Sequence, residues 1–307
     1  MIRRRVGGRP ERDSRSTTGS GHAQHHDVTE DPAVATARVA RLFDKLAPVY
    51  DRSGVEFFTP MAQRLVQLLA PRPGERALDI GCGRGAVSMP LAEAVGPAGA
   101  VTAADLVPAM VEAVSDDALR LGLRNLSTIV MDASAPAVPR ETYDLVAAAA
   151  VLFFLPDPAQ ALARWVRLIK PGGRIGITTF GEQDPTWTAV DSLFAPYRPA
   201  GLLGPRTTAE QGPFGSEAGV TELMRRSGAV DVRTLSEPVQ LVVDDAQEWR
   251  AFTLTTGQRE AWLQVPADER DRLFQRARFL LESARTDSGR IVLTQQVRYT
   301  LGWRKRP

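Results

Sequence analysis

The stretch 76–85, R-A-L-D-I-G-C-G-R-G, constrains this 307-residue chain more than any other. Ala77, Leu78 and Ile80 flank a single acid, Asp79, a pattern that predicts a short strand buried on both faces of a parallel sheet. Gly81, Gly83 and Gly85 follow at every second position. Glycine permits a sharp turn and lets a ligand approach the backbone with no Cβ in the way. Residues 86–94 read as a helix, so the turn delivers a ligand to a helix N-terminus. Strand, glycine turn and helix form the opening unit of a nucleotide-binding α/β sheet.

The spacing separates this turn from other glycine loops. A dinucleotide fingerprint is G-x-G-x-x-G and a phosphate loop is G-x-x-x-x-G-K-[ST]; here it is G-x-G-x-G with no Lys-Ser/Thr. Asp79 would repel a pyrophosphate but suits a ligand that carries an ammonium and a sulfonium. S-adenosylmethionine (SAM), a nucleoside without phosphate, is such a ligand. Further acids fall in order along the chain. Residues 101–104 read as the second strand, ending at Asp105, where a carboxylate accepts both ribose hydroxyls of an adenosyl group. Residues 126–131 read as the third strand, ending at Asp132 and Ala133. Alone, Asp132 reads equally well as a helix cap.

The motif L-D-I-G-C-G-R-G resembles the first motif of class I SAM-dependent methyltransferases. The nearest branch acts on small molecules and resembles the ubiquinone/menaquinone-biosynthesis methyltransferases. The likeness covers roughly residues 41–180. It implies an α/β fold: a seven-stranded, mostly parallel, Rossmann-like sheet with helices on both faces. It also implies an N-terminal helical cap, and places an antiparallel seventh strand at the chain's end, here 291–303. The phrase F-D-K-L-A-P-V-Y-D, 43–51, is similar to the cap helix of that branch, which would lay Tyr50 over the methionine end of SAM beside Asp79. Gly81 and Gly83 would cradle the cofactor, Asp105 would hold its ribose, Leu106 would cover the adenine face, and Asp132 with Ala133 would accept from the adenine amino group. Ala149, at the end of an apolar fourth strand over 143–150, would complete the cofactor wall. Relatives usually carry L-H-H-L-P-D-P after that strand, whereas this chain reads L-F-F-L-P-D-P, with Phe153 and Phe154 in place of both histidines. K-P-G-G at 170–173 reads as a turn before a fifth strand over 174–180.

Residues 181–226 are longer than a tight connection needs and rich in Gly, Pro and aromatic side chains, so they read as a lid inserted after the fifth strand. Trp187 and Tyr197 in that lid, with Phe153 and Phe154, predict an apolar acceptor pocket. Arg198 and Arg206 are candidates to neutralise an anionic group on the acceptor. Helical stretches are expected over 32–51, 59–69, 108–121, 158–169, 246–252 and 267–285.

Methyl transfer from SAM is an in-line displacement whose barrier falls mainly through positioning. A phenol or alcohol acceptor normally needs a base, commonly His. All three histidines, His22, His25 and His26, lie near the N-terminus. A histidine base is therefore not expected, which leaves a carboxylate, an amine, an acidic phenol or an electron-rich carbon as acceptor. Glu182, just past the fifth strand, is the candidate carboxylate base. The three histidines are read as solvated tail residues and no metal is expected. Residues 1–31 hold few apolar side chains and are predicted to be a disordered tail, with one methyltransferase domain over 32–307.

Composition excludes several other classes. A net charge of +2 predicts no strong field for nucleic acid. The longest apolar run, 145–155, is too short to span a membrane. The lone Cys82 excludes an internal disulfide and fits a reducing, cytoplasmic setting. The expected partner is a small-molecule substrate of secondary metabolism, bound by a monomer or homodimer. Two alternatives stand beside this reading: an NAD-dependent oxidoreductase and a non-catalytic SAM-binding protein.

Overall fold

A computed structural model describes residues 31–198 and 212–306. Residues 1–30, with His22, His25 and His26, and Arg206 in the insertion, lie outside the described residues. The chain runs α1 (Pro32–Leu46), α2 (Phe58–Leu69), β1 (Arg76–Ile80), α3 (Ser88–Val95), β2 (Ala100–Asp105), α4 (Pro108–Leu121), β3 (Leu126–Val130) and β4 (Tyr143–Ala149). It continues through α5 (Pro158–Leu168), β5 (Ile169–Gln183), α6 (Pro185–Leu193), α7 (Glu217–Arg226), β6 (Ala229–Val243), α8 (Ala246–Leu254), α9 (Arg259–Gln264), α10 (Arg270–Leu281) and β7 (Ile291–Arg304).

The seven strands form one sheet in the order β3-β2-β1-β4-β5-β7-β6. β7 pairs antiparallel with both β5 and β6, while the remaining pairings are parallel. β1 is buried on both faces after its first residue, as its apolar run requires. One apolar layer joins α2 and α3 to one face of the sheet, with Val114 of α4 packed on Ala103 of that same face. A second layer packs α5 and α7 on the opposite face, with Trp165 fully buried at its centre. Gly176 of β5 lets α2 approach, because a Cβ there would meet Leu65 and Leu69 at 3.0 Å.

Local chemistry sets the helix ends. Asp157, Ser216 and Asp245 cap α5, α7 and α8 by accepting backbone N–H groups. Pro108 opens α4, and Gly122 ends it in the left-handed conformation. Asp184 and Pro185 start α6 in the same way, so the stretch expected to be a lid opens with a helix. K-P-G-G is not a separate turn. It lies inside β5, which begins at Ile169 because that residue pairs with Tyr143 before a register shift.

Strand length divides the sheet in two. β1 and β3 have 5 residues, β2 has 6 and β4 has 7, but β5, β6 and β7 have 15, 15 and 14. The longer strands carry the sheet beyond the carboxyl ends of the short ones. The chain reverses its direction of travel across the sheet between neighbouring strands β1 and β4, and sheets of this kind bind ligands outside the carboxyl ends at such a point.

Candidate functional site

A cavity of about 300 Å³ opens at that point. The turns after β1, β2, β3 and β4 supply one wall: Gly81 and Gly83, Asp105 and Leu106, Asp132 and Ala133, Ala149 and Ala150. Helix α1 and the turn after it supply Phe43 and Tyr50. Phe57, Phe153, Phe154, Phe180, Trp187 and Phe252 make an aromatic wall.

Glycine is required at the turn. Gly81 has φ +70, and a Cβ on it would lie 2.3 Å from Val151 Cγ2. Its N–H and that of Cys82 donate to Ala104 O at 2.7 and 3.0 Å, which draws the turn onto β2. Gly83 has φ +51, and Tyr50 is the side chain a Cβ there would touch, at 3.6 Å. The Tyr50 ring is held edge-on by Phe43, with centroids 5.6 Å apart. Burial, then the charges of Asp51 and Asp105, push its phenol well up, so it stays neutral.

Asp105 sits on backbone donors. Its carboxylate accepts from Gly83 N at 2.9 Å and Val107 N at 3.0 Å. Burial raises its pKa, against the lowering effect of these N–H groups. Asp132 accepts from Ser134 N at 2.7 Å, the local turn bond its position allowed. Ala150 holds φ +56, an uncommon conformation for a residue with a Cβ. Thr178 Oγ1, accepting from Ala150 N at 2.9 Å, secures it. No local pattern marks this residue as part of a site.

The opposite end of the cavity is polar. Asp191 of α6 accepts from Gln183 Nε2 at 3.2 Å and Gln258 Nε2 at 3.1 Å. Arg198 donates to the Asp191 backbone O at 2.9 Å and its guanidinium lies 3.7 Å from the carboxylate. Burial raises the Asp191 pKa, with Arg198 and the two amides acting against it. Gln183, Asp191, Arg198, Gln258 and Gln295 all line the cavity. Only Arg198 among these was legible in the sequence; a lone glutamine has no local signature.

Three expected site residues stand elsewhere. Asp79 is 1% exposed and is not in the cavity wall; it accepts from Ser88 Oγ at 2.5 Å, tying β1 to α3. Burial raises its carboxyl to about 7. Glu182 is exposed and also outside the wall. The β5–β7 register shifts between Phe180 and Gln183, so those two residues line the cavity in place of the Phe180–Glu182 pair that simple alternation would give. Tyr197 donates its hydroxyl to Glu269 at 2.5 Å and braces the end of α6 instead. Phe153, Phe154 and Trp187 do line the cavity with the cofactor-type residues.

The donor set can be tested against a nucleoside. Gly81 and Gly83 give a close backbone approach, and Asp105 and Asp132 offer acceptors for hydroxyl and amino groups. Arg198, the cation among the described lining residues, is engaged with Asp191 and not with the glycine turn. The wall by that turn thus suits a ligand without phosphate. Among the described residues no cluster could hold a metal, and no helix is long and apolar enough to cross a membrane.

Fold and cavity together define a nucleoside-binding α/β protein of the Rossmann-like kind. A family model described as a methyltransferase domain matches residues 78–177. The chain is 40% identical to a nocamycin O-methyltransferase of Saccharothrix syringae over 242 residues, covering 75% of this chain and 85% of that one. It is 45% identical to the aklanonic acid methyltransferase DauC of Streptomyces sp. (strain C5) over 166 residues, covering 54% and 76%. In fold it is similar to the YcgJ protein of Bacillus subtilis, with a TM-score of 0.53 at 16% identity over 80% of this chain and 98% of that one. This chain belongs to the SAM-dependent methyltransferases. It transfers the methyl group of SAM to a small molecule, which sets aside the NAD-dependent oxidoreductase and the non-catalytic SAM-binding protein.

Proposed function

We propose that the acceptor is a small, largely apolar acid of secondary metabolism, methylated on an oxygen that arrives already ionised. The observation that carries this reading is one continuous cavity. Asp105 and Asp132 stand in it on the cofactor side, aromatic rings line it, and Arg198 is its cation among the described lining residues. No imidazole occurs among the described residues, and an ionised oxygen needs none. The relatives' names agree: one is an O-methyltransferase and the other acts on an acid.

SAM, when bound, supplies an electrophilic methyl on a positively charged sulfur. Gly81 and Gly83 admit its backbone-facing edge, Asp105 accepts from its ribose hydroxyls, and Asp132 and Ala133 meet its adenine with Leu106 on the ring face. Tyr50 covers the methionine end and remains neutral there. Ala149 completes that wall. Phe153, Phe154 and Trp187 exclude water and hold the acceptor ring in line with the methyl, which is the main contribution such a reaction asks of a protein. Arg198 pairs with the acceptor's anionic group. Helix α6 covers the acceptor through Trp187 and Asp191.

A panel of aromatic carboxylic acids, phenols and amines tests the reading, with SAM as donor and mass gain as readout. Base-labile methyl esters are the expected products. Methylation of amines or ring carbons, with every acid untouched, would overturn it. Arg198→Gln should raise the KM for acids about tenfold or more and leave the affinity for S-adenosylhomocysteine unchanged.

A further inference from the structure

At the polar end of the cavity one side chain, Gln295, is selective about the direction of a hydrogen bond. Gln295 of β7 is 3% exposed and lies opposite Gln183 in the β5–β7 ladder. Its Nε2 donates to Gly181 O at 2.9 Å, Glu182 O at 3.2 Å and Gln296 O at 2.9 Å. Carbonyl oxygens cannot donate, so the NH2 group must face them and the amide cannot be flipped. Three carbonyls share two hydrogens, and no donor is left over. The polar atom that Gln295 has left for the cavity it lines is Oε1, and no described residue donates to it.

Gln183 and Gln258 are set in the same sense. Each turns its NH2 to one oxygen of Asp191, which leaves the amide oxygen facing away from that carboxylate. Three glutamines thus converge with their amide oxygens uncommitted; Gln295 has both amide hydrogens committed to the protein, while Gln183 and Gln258 each keep one.

We propose that this end of the cavity reads hydroxyl groups, and that the acceptor is a ring-bearing acid that also carries at least one hydroxyl, bound through Gln295 Oε1. The proposal rests on the preceding reading of a small apolar acid and adds the group that distinguishes one such acid from another. A hydroxyl gives Oε1 the hydrogen bond it lacks. A bare ring leaves a buried acceptor unpaired, and a methoxy or keto oxygen sets lone pairs against lone pairs. A site built around a hydroxyl rejects the analogue without it far more strongly than an apolar pocket rejects a missing methylene.

The test uses the full chain with S-adenosylhomocysteine present. Calorimetry measures the binding of 2-naphthoic acid, its ring-hydroxylated isomers and their methoxy counterparts, and of the same compounds as neutral primary amides. At least one hydroxylated isomer should bind about tenfold tighter than the parent, with its methoxy counterpart weaker than either. Gln295→Met should bring the hydroxyl-to-parent ratio close to one. If loss of the three carbonyl bonds lowers the melting point of that variant too far, Gln183→Met, the cross-strand neighbour, carries the comparison. No hydroxyl preference in the wild type, or a preference unchanged in both variants, overturns the proposal. The amides keep the two readings apart. Hydroxyl preference among amides, with no acid bound or methylated, removes the acidic acceptor and leaves the hydroxyl reader. Methylated acids without hydroxyl preference do the reverse, and binding of no probe at all overturns both.

Discussion

Replacing Asp105 by Asn perturbs the cofactor side with the least change of shape. The wild-type carboxylate already accepts from Gly83 N and Val107 N, and its remaining lone pairs are those proposed for the ribose. Asn has one acceptor oxygen where Asp has two, and no charge. Hydrogen bonds to a charged group are worth about 1.5–3 kcal/mol, so S-adenosylhomocysteine should bind about 10- to 150-fold more weakly. The fold should suffer less. Burial raises the Asp105 pKa, which marks its charge as costly to keep, and a neutral amide avoids that cost while giving up one backbone partner. Loss of one such bond is about 1 kcal/mol, or a melting-point shift of about 2–4 °C for a domain of this size. Calorimetric titration gives the affinity and thermal melts with and without ligand give an independent check. At a ligand concentration of about 100 times the wild-type Kd, binding stabilises the wild type by about 2.7 kcal/mol; for a 100-fold weaker variant that falls to about 0.4 kcal/mol. A well-folded Asp105→Asn protein with wild-type affinity would remove Asp105 from the cofactor's contacts.

Three further outcomes follow from the described geometry. Gly81→Ala, with its Cβ 2.3 Å from Val151, should melt lower than Gly122→Ala, which has φ +71 but open space around it. The difference should be about 1–3 kcal/mol in urea titrations, and equal losses would show that only the backbone angle matters. Burial pushes the Asp79 carboxyl up to about 7, so the folded chain holds a proton that the unfolded chain releases near its ordinary value. Stability therefore falls as pH rises from about 4 to about 7 and levels off above that. Asp79→Asn should flatten that decline by on the order of a few kcal/mol, and identical pH profiles for the two proteins would contradict it. Arg298 donates to Phe180 O, just before the insertion, and to Phe214 O and Gly215 O within it. Arg298→Met should cost about 2–4 kcal/mol by leaving these carbonyls unpaired, and Arg298→Lys should recover little because it lacks the planar fork; full recovery by Lys would refute the geometric argument.

Most of the wall at the glycine turn was legible because its residues follow directly from a local pattern, Ala150 excepted. Gly81, Asp105, Asp132 and Ala149 stand at or just past the carboxyl ends of successive strands, and apolar runs reveal such strands. The acceptor half is assembled from distant segments, and chain order says nothing of their meeting. Gln183, Asp191, Gln258 and Gln295 come from β5, α6, the α8–α9 turn and β7. Glu182 stands outside the wall because a bulge changes which side chains face inward, and bulges leave no periodic trace. Asp79 had the right charge for a sulfonium but is sealed behind Ser88. The D-P-T-W start of α6 was readable as a cap and a first-turn proline, and the loop-like composition around it concealed it.

The unequal strand lengths have an evolutionary corollary. Everything proposed to hold the nucleoside hangs on β1 to β4, whereas Gln183 and Gln295 sit on the overhang of β5 and β7, beyond where those strands stop. A substitution on the overhang can retune which molecules are accepted without touching the parts that recognise the donor. Descendants of such a chain can thus diverge in chemistry at one end of the sheet while the other end stands still.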